Sequence, residues 1–433
     1  MKKAFIFNKI FKNASWIIVC KILQSILNLF IGMITVRYLG PSNYGLISYA
    51  ASIAAFFVPI MHLGLTSTLV QELLSDPENE GKILGTSIGM NALTGVISMI
   101  GIYAFCMIAH QDEKETIIVC VLYSFTLLFQ AAEMSQYWFQ AKLMSKYPSI
   151  IALIAYIVAS IYKIYILISN KDIYWFAITH VIEACVVSLS LMLVYYRLSD
   201  KKLGFSFALG KRLFSRSKYY IISGMAVIIL QYTDKFMLKN MIGDEVTGYY
   251  SVAVMCAGLF SFVYAAIVDS MRPQILQQKK VSEKKYEESL SILYALIFYI
   301  SLIQCIITTA LADVLVFVLY GEAYMPAVEV LRVSVWVITF SFIGSVTSIW
   351  ILGENKNRMI VWIGLFGAGT NILLNLIFIP RFGAVGAAFA SFLTQLLKNF
   401  IFCFLVKPLR HSMTLLLRGI NPKFAIKKIR ELL

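Results

Sequence analysis

Charged residues are scarce in this chain of 433 residues: they make up 14% of it, whereas 59% of the residues are hydrophobic. The mean hydropathy is +0.77. An ordinary soluble domain carries about 25% charged residues, because its large exterior must stay polar. The scarcity of charge excludes soluble enzymes, DNA-binding domains and disordered scaffolds. Lipid is therefore the expected solvent for most of the chain.

Residues that bind metals or carry redox chemistry are few and scattered. The seven cysteines all lie in apolar runs, no Cys-x-x-Cys occurs, and the four histidines fall on separate segments. We interpret the cysteines as small buried hydrophobic residues. No P-loop motif is present, so we expect no ATP hydrolysis. We predict no metal, no cofactor and no nucleic-acid partner. Because the loops between apolar runs are too short for a catalytic domain, we also predict that the chain is not an enzyme.

Twelve apolar stretches are each long enough, at about 20 residues, to cross the hydrocarbon of a bilayer as a helix. They lie at approximately 14–36, 45–69, 83–109, 116–138, 149–169, 173–196, 219–238, 248–270, 290–319, 328–352, 359–379 and 384–406. The ninth is unusually long, and we expect it to be broken or tilted near Asp313. The sequence predicts an all-α integral membrane protein with twelve transmembrane helices.

Lysine and arginine are distributed unevenly over the segments between these stretches. If both termini are cytoplasmic, 28 of the 38 lysines and arginines lie on the cytoplasmic side, five on the opposite side and five within spans. Because cytoplasmic loops carry an excess of positive charge, the distribution predicts this orientation. The acidic loop Glu72–Glu80 is an exception to the pattern. The basic tail Lys407–Arg430 would contact anionic lipid.

The longest segment between spans, Arg197–Lys218, divides the twelve spans into two sets of six. We predict an N-terminal six-helix lobe at 1–196, a basic cytoplasmic linker at 197–218, a C-terminal six-helix lobe at 219–406 and a basic cytoplasmic tail at 407–433.

Two short patterns recur in both halves of the chain. Gly40-Pro-Ser-Asn-Tyr-Gly45 after the first span is echoed by Gly243-Asp-Glu-Val-Thr-Gly248 after the seventh, at an offset of 203 residues. Trp138 and the loop after it are echoed at Trp350, at an offset of 212. The two echoes occur in the same order, which predicts duplication. Because six spans is an even number, the lobes form a parallel repeat, with a central cavity expected between them.

Polar side chains follow one face of several spans, where hydrocarbon would penalise them. These side chains are Lys21, Gln24 and Asn28 on span one, His62 on span two, Gln231, Asp234 and Lys235 on span seven, and Asp269 and Arg272 on span eight. Such stripes would line a hydrated cleft between the lobes. Polar residues also favour contacts between membrane helices, so a purely structural role is the alternative interpretation.

Several charged residues in the spans have a second interpretation. Lys21 lies about two turns inside the cytoplasmic edge, so its ammonium group can also extend to the interface. Lys235 can form a structural pair with Asp234 instead of binding a ligand. A pair of Lys163 with Glu183 would likewise be structural.

Three motifs stand at the ends of spans one, four and eleven. They are Val36-Arg-Tyr-Leu-Gly-Pro-Ser-Asn-Tyr-Gly45, Tyr137-Trp-Phe-Gln-Ala141 followed by Tyr147, and Asn375-Leu-Ile-Phe-Ile-Pro-Arg-Phe-Gly-Ala-Val-Gly-Ala-Ala388. Together with twelve spans in two lobes, they resemble the polysaccharide (O-antigen and capsule repeat-unit) flippase branch of the multidrug/oligosaccharidyl-lipid/polysaccharide exporter superfamily. The resemblance covers essentially the whole chain.

The resemblance implies a flippase that moves an oligosaccharide on undecaprenyl diphosphate from the cytoplasmic to the outer leaflet. It implies alternating access around a cationic cavity, in the synthesis of O-antigen, capsule or exopolysaccharide. It also implies the bacterial plasma (inner) membrane, with the polysaccharide polymerase and the chain-length machinery as partners.

The same resemblance suggests roles for the polar side chains in the spans. The candidate contacts of the pyrophosphate are Lys21, Arg37, Lys235 and Arg272. The candidates for sugar contacts in the cavity are Gln24, Asn28, His62 and Gln231. The candidate sites for a coupling proton or sodium ion are Asp234, Asp269, Glu133 and Glu183.

A cation-coupled multidrug exporter of the same superfamily is the main alternative. Such a pump would need a carboxylate in the cavity of the first lobe, but span one carries Lys21 and neither Asp nor Glu. A non-transporting membrane scaffold and a membrane enzyme of polysaccharide assembly are alternatives from other classes. The paired polar stripes argue against a scaffold, which has no need to hydrate its centre.

The predicted orientation can be tested in a cysteine-free variant that carries Lys201→Cys or Lys423→Cys. Both cysteines should resist a membrane-impermeant thiol reagent added outside intact cells, because the lysine and arginine distribution assigns both segments to the cytoplasm. Lys114→Cys, assigned to the opposite side, is the matched control and should react. Labelling from outside at either of the first two positions would contradict the orientation.

Overall fold

The structure is a computed structural model that describes residues 2–425, with side chains from Trp16 onward except at residue 18. Within residues 2–425 the chain is helical and contains no β-strand. The predicted all-α membrane fold is confirmed. The part of the predicted tail after Ala425 lies outside the described residues.

Two compact units divide the chain, Met1–Ile228 and Ile229–Leu433. The helices of the first unit are α1 (Lys2–Met61), α2 (Leu69–Ser75), α3 (Glu80–Ala109), α4 (Lys114–Ser124), α5 (Thr126–Glu133), α6 (Gln136–Ala141), α7 (Lys146–Ile168), α8 (Ile173–Leu198) and α9 (Phe207–Ser217). Helix α10 (Tyr219–Met241) runs across the boundary between the units. The predicted bounds of the lobes, linker and tail stay predictions.

The helices of the second unit are α11 (Asp244–Ala257), α12 (Ser261–Lys279), α13 (Glu283–Ala310), α14 (Ala312–Tyr320), α15 (Ala327–Gly353), α16 (Arg358–Leu396), α17 (Phe402–Leu405) and α18 (Arg410–Ile420). A π-helical turn, Leu397–Ile401, joins α16 to α17. Short 3₁₀ turns occur at Leu65–Ser67, Pro77–Asn79, Gly258–Phe260, Glu322–Tyr324 and Lys407–Leu409.

Ten helical segments within residues 2–425 are long and apolar enough to cross a membrane. Two of them, Val19–Met61 and Arg358–Leu405, each cover two of the predicted spans. Each contains one residue with non-helical backbone angles, Gly40 in the first and Gly383 in the second. Each of the twelve predicted spans therefore corresponds to a helical segment, although the second, predicted to reach residue 69, ends at Met61.

The ninth span ends earlier than the sequence predicts. Helix α13 stops at Ala310, and Leu311, with φ −100° and ψ 11°, separates it from the short helix α14. The stretch 290–319 is therefore wrong as a single span. The expected break near Asp313 occurs two residues earlier, at Leu311.

Both repeated sequence patterns mark equivalent changes in backbone direction. Gly40 and Gly243 combine positive φ values, 71° and 139°, with extended ψ values of 172° and −179°. A Cβ at either position would meet no atom within 4 Å, so the backbone conformation alone requires glycine. Leu143 and Asn355 have left-handed φ values of 55° and 54°, and in both cases the next amide donates to the carbonyl five residues back, at 2.7 and 2.9 Å. The two repeated sequence patterns thus occupy structurally equivalent positions in the two halves of the chain.

A short amphipathic helix follows the sixth and the twelfth span. Helix α9 packs against α3, and α18 packs against α13, the third span of its own set. Their first residues, Phe207 and Arg410, are 203 residues apart, the same offset as the two helix-breaking glycines. The repeat therefore comprises six spans and one further helix.

The chain before α9 is fixed to α3 by close backbone contact. Gly81 and Gly85 lie one turn apart, and a Cβ on them would approach Lys202 O to 2.3 Å and Gly204 O to 2.4 Å. Gly204 N donates a hydrogen bond to Gly81 O at 3.2 Å. The basic segment between the two sets of spans is therefore docked on α3.

The acidic residues before α3 neutralise basic side chains of the same unit. Glu72 is 4% exposed, and its carboxylate lies 2.5 Å from Arg216 Nη1 and 3.5 Å from Arg212 Nη2. Glu80 lies 2.6 Å from Lys142 Nζ. The exception to the charge pattern thus has a structural cause, because these carboxylates hold the neighbouring basic residues.

Gly85→Ala tests the docking on α3. We expect it to lower the unfolding temperature of the purified protein by a few degrees, because the new Cβ would overlap Gly204 O and such overpacking costs roughly 1–3 kcal/mol. Gly369→Ala is the control, since its Cβ would meet no atom within 4 Å and alanine favours a helix. Unfolding in detergent can be followed by tryptophan fluorescence. Equal unfolding temperatures for the two variants would contradict the docking of this segment on α3.

Candidate functional site

Asp234 lies on α10 and is 4% exposed. Four neutral side chains donate hydrogen bonds to its carboxylate. Asn375 Nδ2 and Asn371 Nδ2 donate to Oδ1 at 2.6 and 3.2 Å. Ser391 Oγ donates to Oδ2 at 2.5 Å, and Tyr250 OH donates to the same oxygen. These donors stabilise a charge that hydrocarbon would otherwise penalise strongly. The five residues are called the Asp234 cluster below.

The sequence of α16 explains how three of the donors come together. Asn371 and Asn375 are four residues apart, so they share one face of the helix. The kink at Gly383, with φ 55° and ψ −131°, turns the chain back, and Ser391 Oγ then lies 3.3 Å from Asn371 Nδ2. Asn375 and Gly383 both belong to the third sequence motif, which therefore encodes a donor and the turn that completes the cluster.

The Asp234 cluster also presents oxygen atoms. Asn375 Oδ1 is buried and has no hydrogen-bond partner, while Asn371 Oδ1 accepts from Asn375 Nδ2 at 3.2 Å. A primary amide that rotates exchanges its donor for its oxygen. The cluster can therefore surround either a proton on Asp234 or a small cation beside it.

The charge of the cluster limits which ion it suits. One carboxylate balances one positive charge, and the other members are neutral. Among the residues that the structure describes, no group of three or more His, Cys, Asp and Glu could hold a metal ion. The oxygen-rich, singly charged set fits a monovalent hard cation or a proton better than a divalent or transition metal.

Lys235, next to Asp234 in the sequence, does not join the cluster. The side chain is half-buried, and none of the described hydrogen bonds or ion pairs connects it to Asp234. The two charges interact electrostatically, but they form no direct ion pair, because the carboxylate accepts hydrogen bonds from the other donors. Gln231, one turn before Lys235, is exposed.

Two of the predicted sugar contacts are engaged within the first unit. Asn28 Oδ1 accepts a hydrogen bond from Tyr156 OH at 3.0 Å, and His62 Nδ1 lies 3.3 Å from Asn91 Oδ1. Both contacts join separate helices, in agreement with the alternative that polar residues hold membrane helices together. Gln24 is half-buried.

The four predicted phosphate contacts divide equally between the units. Lys21 and Arg37 are exposed residues of α1. Arg272 Nη2 lies 3.7 Å from Asp269 Oδ1, and the buried Arg272 Nε has no hydrogen-bond partner. Within each unit, no described contact joins two of the four residues.

The four carboxylates that the sequence suggested as ion sites differ in their surroundings. Asp234 is buried in its cluster, whereas Glu133 on α5 and Glu183 on α8 are half-buried and Asp269 is exposed. Lys163 and Glu183 interact electrostatically, as the sequence suggested, but no described ion pair within 4.0 Å joins them. Burial and hydrogen bonding therefore single out Asp234.

Sequence reasoning missed the other members of the Asp234 cluster. Asn371 and Asn375 carry a signal that could have found them, since two amides four residues apart on one face of an apolar span are costly unless they have partners. Tyr250 and Ser391 carry no such signal, because single hydroxyls are common in membrane helices.

Solved structures share this fold. The chain aligns with the lipid II flippase MurJ in its inward closed conformation at a TM-score of 0.71 and 16% identity, covering 93% of this chain and 90% of that one. It aligns with an inward-facing multidrug resistance MATE family transporter of the MOP superfamily at a TM-score of 0.66 and 12% identity, covering 92% of this chain and 96% of the other. The chain therefore shares the fold of these two membrane proteins.

The sequence matches the family described as polysaccharide biosynthesis protein over residues 10–278, and the chain belongs to this family. A putative O-antigen transporter of Shigella flexneri is 23% identical over 373 residues, which is 81% of this chain and 87% of that protein. An uncharacterized membrane protein of Methanocaldococcus jannaschii is 27% identical over 206 residues, 46% of this chain but only 39% of that relative. The resemblance to the polysaccharide branch of the exporter superfamily is confirmed.

Proposed function

We propose that the chain is a flippase that moves undecaprenyl-diphosphate-linked oligosaccharide units from the cytoplasmic to the outer leaflet by alternating access. Family membership and the Shigella flexneri relative support the substrate class, and the fold shared with MurJ supports the activity. The observation that carries the proposal is an intramembrane cation that makes no direct ion pair with a carboxylate. No described ion pair involves Lys235, because other donors occupy Asp234.

The diphosphate of a lipid-linked sugar would supply a direct anionic partner for Lys235. A charged group within a span faces water or an opposite charge, because hydrocarbon penalises it. The phosphate contacts would be Lys21, Arg37, Lys235 and Arg272. The lysines would act as point charges, and the arginines would offer planar forks to the phosphate oxygens. The sugar contacts would be Gln24, Asn28, His62 and Gln231.

Transport would be coupled to a proton or sodium ion at Asp234. The buried carboxylate, with amide oxygens beside it, provides the ligand type that such an ion prefers. Binding of the ion would replace the amide donors, since Asn371 and Asn375 can rotate. An ion that binds one conformation more tightly shifts the equilibrium between inward-open and outward-open forms.

The surroundings of the proposed flippase follow from the same assignment. The protein would reside in the bacterial plasma (inner) membrane with both termini in the cytoplasm, and the lobes 1–196 and 219–406 would enclose a central cavity. Its products would pass to the polysaccharide polymerase and the chain-length machinery for O-antigen, capsular or exopolysaccharide synthesis.

Deletion of the gene in its host tests the proposal. Lipid-linked repeat units should accumulate at the cytoplasmic face, and surface polysaccharide should fall, because the units cannot reach the outer leaflet. The wild-type gene should restore the polymer, whereas Lys21→Ala and Lys235→Ala should restore less of it while inserting normally. Full complementation by the double variant would contradict the phosphate contacts. Unchanged polysaccharide in the deletion strain, together with new drug sensitivity, would favour a multidrug exporter.

Asp234→Asn tests the coupling site. Added sodium chloride, compared with choline chloride, should raise the unfolding temperature of the wild-type protein, because an ion that binds the folded state stabilises it. The variant should lose this response and export less polysaccharide. Asp269→Asn, at an exposed carboxylate, is the matched control and should keep both. A rise in the unfolding temperature on acidification instead of with sodium would identify a proton as the coupling ion. Identical responses of the wild type and both variants to sodium and to acid would contradict the site.

A further inference from the structure

A polar pocket of about 310 Å³ lies in the first unit, where α1 breaks at Gly40, α4 begins and α7 connects to α8. This volume is at the lower end of the roughly 300–1,000 Å³ of small-molecule sites. The polar side chains that line it are Tyr38, Asn43, Glu115, Asn170, Lys171 and Asp172. These segments belong to the side that the lysine and arginine distribution predicts to face outward.

Four of the six polar side chains that line the pocket are not used to hold the fold together. No described hydrogen bond or ion pair involves the side chains of Asn43, Glu115, Asn170 or Asp172. Asp172 precedes the first turn of α8, yet its side chain makes no capping hydrogen bond to that helix. These four side chains therefore leave hydrogen-bond donors and acceptors available to a ligand.

The duplicated scaffold shows that this polarity is not required structurally. At the offset of 203 residues, the second unit has Val246 in place of Asn43, after the equivalent break at Gly243. Its twelfth span begins after Gly383, where a Cβ would lie 3.9 Å from Val246 Cγ1, so the same two connections approach each other there with an apolar side chain at the position of Asn43. The fold of this connection therefore does not explain why polar side chains line the pocket of the first unit.

The chemistry of the lining suits a sugar ring. A sugar presents hydroxyls that donate and accept around its rim, and C–H groups on its faces. The asparagine amides donate and accept, and the carboxylates accept. Tyr38 supplies a fixed aromatic surface, because its ring lies 5.6 Å from that of Phe176 and its OH donates to Lys171 O at 3.4 Å. Tyr174 lines the pocket as a second tyrosine.

The charge of the pocket disfavours a phosphate ligand. Glu115 and Asp172 supply two negative charges against the single positive charge of Lys171, whose ammonium group lies 5.7 Å from the ring centre of Trp175. A neutral ligand with many hydroxyls is the best match.

We propose that this pocket binds one sugar ring of the oligosaccharide on the outward side, and so holds the glycan after the lipid-linked unit has been reoriented. The identity of the glycan rests on the proposed function. The binding itself can be measured without transport.

The experiment uses the full-length protein in nanodiscs and, as the probe, the repeat-unit oligosaccharide released from the host polysaccharide by mild acid. The double variant Asn43→Val with Asp172→Ala introduces the valine that the second unit already carries and removes a carboxylate without a capping role. We expect it to bind about tenfold more weakly in isothermal titration calorimetry, which is the order of loss expected for two hydrogen bonds. Asn240→Val with Glu322→Ala is the matched control and should bind like the wild type, because these residues, at the end of α10 and in the turn Glu322–Tyr324, are predicted to face the same side in the second unit.

The outcomes separate the pocket from the transport proposal. Equal affinity of the double variant and the wild type would overturn the pocket, as would absence of wild-type binding at millimolar glycan in a preparation that still flips lipid-linked units. Glycan binding with the expected variant dependence, in a protein that does not flip, would overturn the transport proposal and leave the pocket standing. Glu115→Gln, which keeps the shape of its side chain, provides a second test of weakened binding if the double variant unfolds.

Discussion

Hydrocarbon offers no water to a backbone amide, and this constraint governs the whole chain. Every long apolar stretch is helical, because a helix satisfies its own backbone groups. The chain can change direction only where a residue tolerates an unusual conformation, as at Gly40, Gly243 and Gly383. These breaks position both sites discussed above, since Gly383 returns Ser391 to the Asp234 cluster and Gly40 brings Asn43 to the polar pocket.

The spans and the duplication could be predicted because their signals are local: about twenty apolar residues, or a glycine at a fixed offset. Asp234 was also visible, as a charge in an apolar run. Its partners were not, because Tyr250 is 16 residues away and Ser391 is 157 residues away, and only tertiary packing joins them. The docking of the basic central segment was hidden for the same reason, since Gly85 on a distant helix decides it.

Duplication has left the units alike in backbone and unlike in polarity. The second unit buries a carboxylate among neutral donors at the meeting of α10, α11 and α16, whereas the first unit has its unpaired carboxylates at the rim of the polar pocket. A gene that encodes the same scaffold twice can divide its tasks, because each copy already folds around its own apolar contacts. The proposed ion site at Asp234 and the proposed outward sugar pocket accordingly lie in different copies.

The docked basic segment has a mechanical consequence. Its backbone is fixed to α3, and α10 begins only two residues after α9 ends at Ser217, so the connection between these two helices is short. Helix α10 continues without interruption past Ile228, where the first unit ends. Asp234 lies on the same helix, less than two turns past Ile228, so a movement of α10 would reach the ligands of the proposed ion directly.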